Sequence, residues 1–102
     1  MYESDVERSI VKQYEDTGGM ALKLVSPGVT GIPDRLGLKP VKNKKHREIV
    51  ARYVTFLELK RPGGIRKRRQ ERVAEMLKRM GYETEVVDRK RVRYGKHGDS
   101  LF

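Results

Sequence analysis

Two short stretches hold the side chains best suited to chemistry. In TFLELKRPGG, residues 55–64, an apolar run carries Glu58 and Lys60 near its end, and in GIPDR, residues 31–35, Asp34 follows directly on Pro33. Side chains alternate between the faces of a strand, so Phe56, Glu58 and Lys60 share one side while Leu57 and Leu59 take the other. Glu58 and Lys60 then project together, about 6.6 Å apart at roughly 3.3 Å per residue. The bland reading of Glu-Leu-Lys is a surface ion pair, and that of Pro-Asp is a turn residue bonded to its own backbone. If Asp34 heads a strand that pairs with 53–60 as a hairpin, however, two carboxylates converge at one sheet end. Such a pair makes a hard-oxygen site suited to Mg²⁺ or Mn²⁺. That set suits phosphodiester hydrolysis, in which the metal lowers the pKa of water and Lys60 offsets phosphate charge. No Ser-His-Asp arrangement is evident, and His46, inside a basic run, reads as solvated.

The composition points the same way without proving it. The 102 residues form one domain with a modest core, since 36% are hydrophobic and 37% charged. Lys and Arg number 24 against 14 Asp and Glu, a formal charge of +10 that attracts a polyanion, nucleic acid first. A basic structural protein of a ribonucleoprotein has the same balance. The absence of cysteine and the presence of only two His exclude thiolate sites and disfavour structural zinc. No apolar run approaches the roughly 20 residues of a membrane span, and MYESDVERSI is no signal peptide, so the expectation is a soluble cytoplasmic protein.

The elements that must position these residues follow from patterning. Ser4 and Glu7 have the spacing of a capping box, and Val6, Ile10, Val11 and Tyr14 predict a helix over 4–17, stopped by Gly18-Gly19. MALKLV, 20–25, reads as a strand; SPGVTGIPD is a loop; Arg35–Lys39 opens a second strand. Lys39–Arg52, with six Lys and Arg, His46 and one acid, predicts an exposed hairpin extension or mobile loop. Tyr53–Lys60 is the strongest strand, ended by Pro62-Gly63-Gly64. Val73, Met76, Leu77 and Met80 mark a helix closed by Gly81, and YETEVV, 82–87, a fourth strand. Val92 and Tyr94 could add a short strand in a basic tail over 89–102. The order is α-β-β-β-α-β, a mixed sheet flanked by helices.

The helix after Gly64 breaks a local rule. Arg66, Lys67, Arg68, Arg69 and Arg72 crowd its start, where each exposed cation costs roughly 0.3–1 kcal/mol against the helix dipole, and no Ser or Asp cap is present. Violations of this kind collect at functional sites, and Arg forks favour phosphate. The alternative is a solvated charge run.

Pro33-Asp34 with Glu58-Leu59-Lys60 matches the PD-(D/E)XK nuclease pattern. Together with ESDVERSI, KLVSPGVTGIPDR, FLELKRPGG, Gln70 and MGYETEVV, the chain resembles a stand-alone virus-type replication-repair (VRR-type) nuclease domain over about residues 3–88. The resemblance implies a restriction-endonuclease-like α/β fold. Asp34, Glu58 and the Leu59 carbonyl would ligate Mg²⁺ or Mn²⁺, and Lys60 would orient the attacking water. Glu7 would approach the metal and offer a ligand for a second ion, and Gln70 would support the site. The nucleic-acid contacts would come from Arg35, Lys44, Lys45, Arg61, Arg66, Lys67, Arg68 and Arg69. The family implies a DNA endonuclease selective for branched DNA such as Holliday junctions, acting as a homodimer and encoded by a phage or prophage. The runner-up is a non-catalytic basic module that binds nucleic acid through the same cations.

Overall fold

Helix α1, Glu3–Asp16, opens the computed structural model, which describes residues 2–25 and 28–89. Asp5, its third residue, accepts a hydrogen bond from the Tyr2 backbone N–H at 3.3 Å. The helix is therefore capped earlier than a Ser4–Glu7 box would place it, because Asp5 offers the same reciprocal carboxylate two residues ahead of Glu7. Glu7 is left to pair elsewhere. Thr17 closes the helix through its hydroxyl, which donates to the Tyr14 carbonyl at 2.8 Å.

Strands β1, Met20–Lys23, and β2, Arg35–Leu38, pair antiparallel, with Met20 opposite Leu38 and Lys23 opposite Arg35. Tyr14 of α1 lies on this hairpin where Gly37 has no side chain; a Cβ there would run into the ring. The strand headed by Asp34 thus pairs with β1 rather than with 53–60. The reason is connectivity: neighbours in the chain joined by a turn-rich loop pair first, and a helix stands between β2 and the next strand.

That helix, α2, Lys44–Tyr53, replaces the expected hairpin extension or mobile loop over Lys39–Arg52. Asn43 caps it, its side chain accepting from the His46 N–H at 3.1 Å. Arg47 fastens it back to the chain by donating from Nε to the Val41 carbonyl at 2.6 Å. The charge density of the segment hides a short helix whose half-buried side is Val50 and Ala51.

Strand β3, Thr55–Leu59, starts two residues later than expected because Tyr53 ends α2 and Val54 is its C-cap. It pairs in parallel with β4, Glu83–Val87, through the crossover helix α3, Arg68–Met80. Gly81, at φ +100°, takes the left-handed conformation that terminates α3, which side chains resist. The order is α-β-β-α-β-α-β, and the expected single mixed sheet is two two-stranded sheets, β1-β2 and β3-β4. One core joins them: buried Leu38 of β2 meets Leu77 and Met80 of α3, with Met20, Phe56 and Tyr82 packed against the cluster. Phe56 and Tyr82 stack edge to face at 6.0 Å, and the Tyr82 hydroxyl donates to the Lys39 carbonyl at 2.7 Å. The architecture is mixed α/β, three helices and two small sheets, compatible with an α/β nuclease-like fold. Among the described residues no helix is long and apolar enough to cross a membrane. The strand expected around Val92 and Tyr94, and the basic tail beyond Arg89, lie outside the described residues.

Candidate functional site

Strand β3 is inverted relative to an ordinary half-buried strand. Leu57 and Leu59 are 52% and 74% exposed, whereas the side chains of Glu58 and Lys60 are only 19% and 16% exposed. The alternation expected from the sequence is present, and the charged face is the one turned inward with Phe56. Lys60 is held there because its backbone N–H extends the β3–β4 ladder, donating to the Val87 carbonyl at 2.9 Å.

Glu58 is enclosed by cations. Arg66 Nε donates to Glu58 Oε1 at 3.3 Å. Lys60 Nζ stands 3.9 Å from Glu58 Oε2, close enough for Coulomb attraction but beyond hydrogen-bond distance. Oε2 is buried and, among the described residues, has no hydrogen-bond partner. A desolvated carboxylate oxygen without a donor is costly and rare, and it fits a site that takes a further cation. Arg66 reaches Glu58 because the segment after β3 folds back sharply: Gly63 adopts φ +76° and the Gly64 N–H donates to the Arg61 carbonyl at 2.9 Å.

Gln70 lies in α3 beside this group. Its side-chain oxygen accepts from the Lys67 N–H at 3.1 Å, supplying the cap that the basic run seemed to lack. Gln70 also lines, with Glu58, Arg66 and Arg69, an open cleft of about 330 Å³ between β3 and α3. Its apolar wall includes Phe56, Val73 and Leu77.

Glu7 and Asp34 sit together in a second, smaller cleft between α1 and the head of β2, walled by Val6 and Ile10. Arg35 is not spread toward solvent there. It donates from one terminal nitrogen to the Ala21 carbonyl at 2.9 Å and pairs through the other with Glu7 Oε1 at 3.1 Å. The structure thus gathers the sequence-selected residues in two groups, Glu58–Lys60–Gln70 with Arg66, and Glu7–Asp34 with Arg35. Among the described residues no three carboxylate or imidazole side chains converge closely enough to hold one ion. Asp34 and Glu58, paired in the sequence reading as ligands of one ion, thus line different clefts, and a cation at Glu58 would draw its remaining ligands from backbone carbonyls and water, as Mg²⁺ commonly does.

The expected backbone contacts divide similarly. Lys44 and Lys45 are exposed in the first turn of α2, and Arg61, Lys67, Arg68 and Arg69 are exposed around the start of α3. Arg35 and Arg66 are instead engaged with carboxylates. Sequence reasoning missed both of these pairings. The Gly63-Gly64 turn is the one local signal for the Arg66 contact; Glu7–Arg35 has none, because it depends on how α1 crosses the hairpin.

No family model and no solved structure matches the chain. It is 35% identical over 86 residues, 84% of this chain and 82% of the relative, to "Putative nuclease p44" of Acyrthosiphon pisum secondary endosymbiont phage 1. At that identity and coverage, the chain belongs to the same protein family as this phage nuclease.

Proposed function

We propose that the protein is a metal-dependent endonuclease of the VRR type, hydrolysing DNA phosphodiester bonds. The observation that carries this reading is the inward-facing Glu58, whose buried Oε2 lacks a hydrogen-bond partner, with Lys60 beside it. Glu58 and the Leu59 carbonyl would hold Mg²⁺ or Mn²⁺ together with water, while Asp34 and Glu7, which share the other cleft, would serve a second ion. A divalent cation so bound lowers the pKa of water and stabilises the charge-rich transition state. Lys60, fixed by the ladder bond of its own backbone, orients the attacking water and neutralises charge on the scissile phosphate. Gln70 fixes the start of α3 against the cleft and so keeps the wall behind Glu58 in place.

The exposed cations of α2 and α3 bind backbone without reading bases and give the complex its salt dependence. One chain carries one such site, so symmetric cutting of a branched DNA such as a Holliday junction calls for a homodimer. Exposed Leu57 and Leu59, on the face of β3 opposite Glu58, offer apolar surface to a second copy. A phage or prophage origin and action in the host cytoplasm agree with the relative's source.

The exposed cations alone would also serve a non-catalytic binding module. Incubation with Mg²⁺ or Mn²⁺ and linear, flap, splayed and four-way DNA separates the two. Cleavage, strongest on the four-way substrate, supports the proposal. Binding to all four with no cleavage under either metal favours the module.

A further inference from the structure

Burying a carboxylate is tolerable only with a counter-charge, and Glu58 has two within reach of quite different character. Lys60 is fixed to β3 and stands 3.9 Å away, without a hydrogen bond. Arg66 makes the one hydrogen bond to the carboxylate, through Nε alone, at 3.3 Å. A guanidinium is built to grip a carboxylate with two parallel donors, so a single long contact is a weak use of it. Arg66 also comes from a turn rather than a strand, two residues beyond a glycine pair. Open space stands where a Cβ at Gly63 would be. One oxygen of Glu58 therefore accepts a single long hydrogen bond from Arg66, and the other, with Lys60 Nζ 3.9 Å away, accepts none among the described residues.

We propose that Arg66 is a placeholder cation for Glu58, exchanged for the divalent metal when the metal binds. This rests on the reading of Glu58 as a metal-holding acid and adds a competitor to it. Arg66 is then a positioning residue rather than one of the free backbone-binding cations. It keeps the buried acid neutralised before the metal arrives, and each metal-binding event must displace it. Removing it should tighten metal binding, the opposite of what removing a merely structural interaction would do.

The test is calorimetric titration of the full chain with Mn²⁺ alone, without DNA, for the wild type, Arg66→Gln, Arg66→Lys and Glu58→Gln, each checked for folding by circular dichroism. Arg66→Gln should bind Mn²⁺ about two- to fivefold more tightly, the scale of a partly exposed ion pair removed from competition. Arg66→Lys, which keeps the charge, should stay near the wild type, and Glu58→Gln should lose the binding. Mn²⁺ affinity in Arg66→Gln equal to or weaker than the wild type, with Glu58-dependent binding intact, overturns the exchange alone. The absence of Glu58-dependent Mn²⁺ binding in every variant overturns the metal reading, and the exchange with it.

Discussion

Among the acid–arginine pairs of the described residues, Glu58–Arg66 and Glu7–Arg35 are mirror images in burial. In Glu58–Arg66 the acid is the enclosed partner, and a carboxylate oxygen, Oε2, is left without a hydrogen bond. In Glu7–Arg35 the arginine is the more enclosed partner, at 24% against 46% exposure, and a guanidinium nitrogen, Nε, is left unsatisfied. The difference separates two uses of the same chemistry. A half-buried guanidinium that also grips the Ala21 carbonyl ties α1 to the β1–β2 hairpin, and its acid remains half in water. A buried carboxylate with an unused oxygen is an opening for a cation. The Glu7–Arg35 pair is chiefly a fastening, and the Glu58–Arg66 pair is where a metal would act.

The substitution that should move most is Glu58→Gln, which keeps shape and removes charge. Under the proposed function it lowers Mg²⁺-dependent cleavage at least about a hundredfold, the scale of losing one essential electrostatic group. Its thermal stability should hold. Next comes Leu77→Ala in the shared core, expected to cost about 2–5 kcal/mol of unfolding free energy in denaturant titration. A cost near zero would mean that the two sheets are not joined through that cluster. Arg35→Ala should cost about 1–3 kcal/mol, since it strands the Ala21 carbonyl and loosens α1. If instead it left stability unchanged and weakened DNA binding, Arg35 would be a backbone contact and the contrast between the pairs would fail. Replacing Lys67, Arg68 and Arg69 together by Ala should reduce the slope of log affinity against log salt by about 0.9 for each phosphate no longer neutralised. A small stability effect is expected for Glu7→Gln, within about 1 kcal/mol in denaturant titration, because the acid is half exposed.

Much of this arrangement was legible in the sequence, for identifiable reasons. The alternation of Phe56, Glu58 and Lys60 against Leu57 and Leu59 follows from the two-residue period of a strand; which face turns inward did not, because leucines stand on the face opposite Phe56. Helix α3 and its Gly81 stop were carried by periodicity and by a residue tolerant of positive φ. Helix α2 was hidden because six cations in fourteen residues look like a solvated loop, and only Asn43 signals its start. The strand partner of β2 could not be read from Asp34 itself; pairing depends on what lies between strands, and that element was the one missed. The two arginine pairings are long-range or turn-dependent, set by how α1 crosses β2 and how the chain folds back at Gly63. Local patterning contains neither.

The central claim is that Glu58, and not the basic surface alone, makes this chain a nuclease. The most direct measurement compares wild type and Glu58→Gln on the same labelled four-way DNA, with cleavage followed in Mg²⁺ and binding followed without metal. The account predicts cleavage by the wild type, its loss in Glu58→Gln, and DNA affinity in the variant equal to or above the wild type, since a negative charge near phosphate has gone. Equal cleavage by both proteins would contradict it.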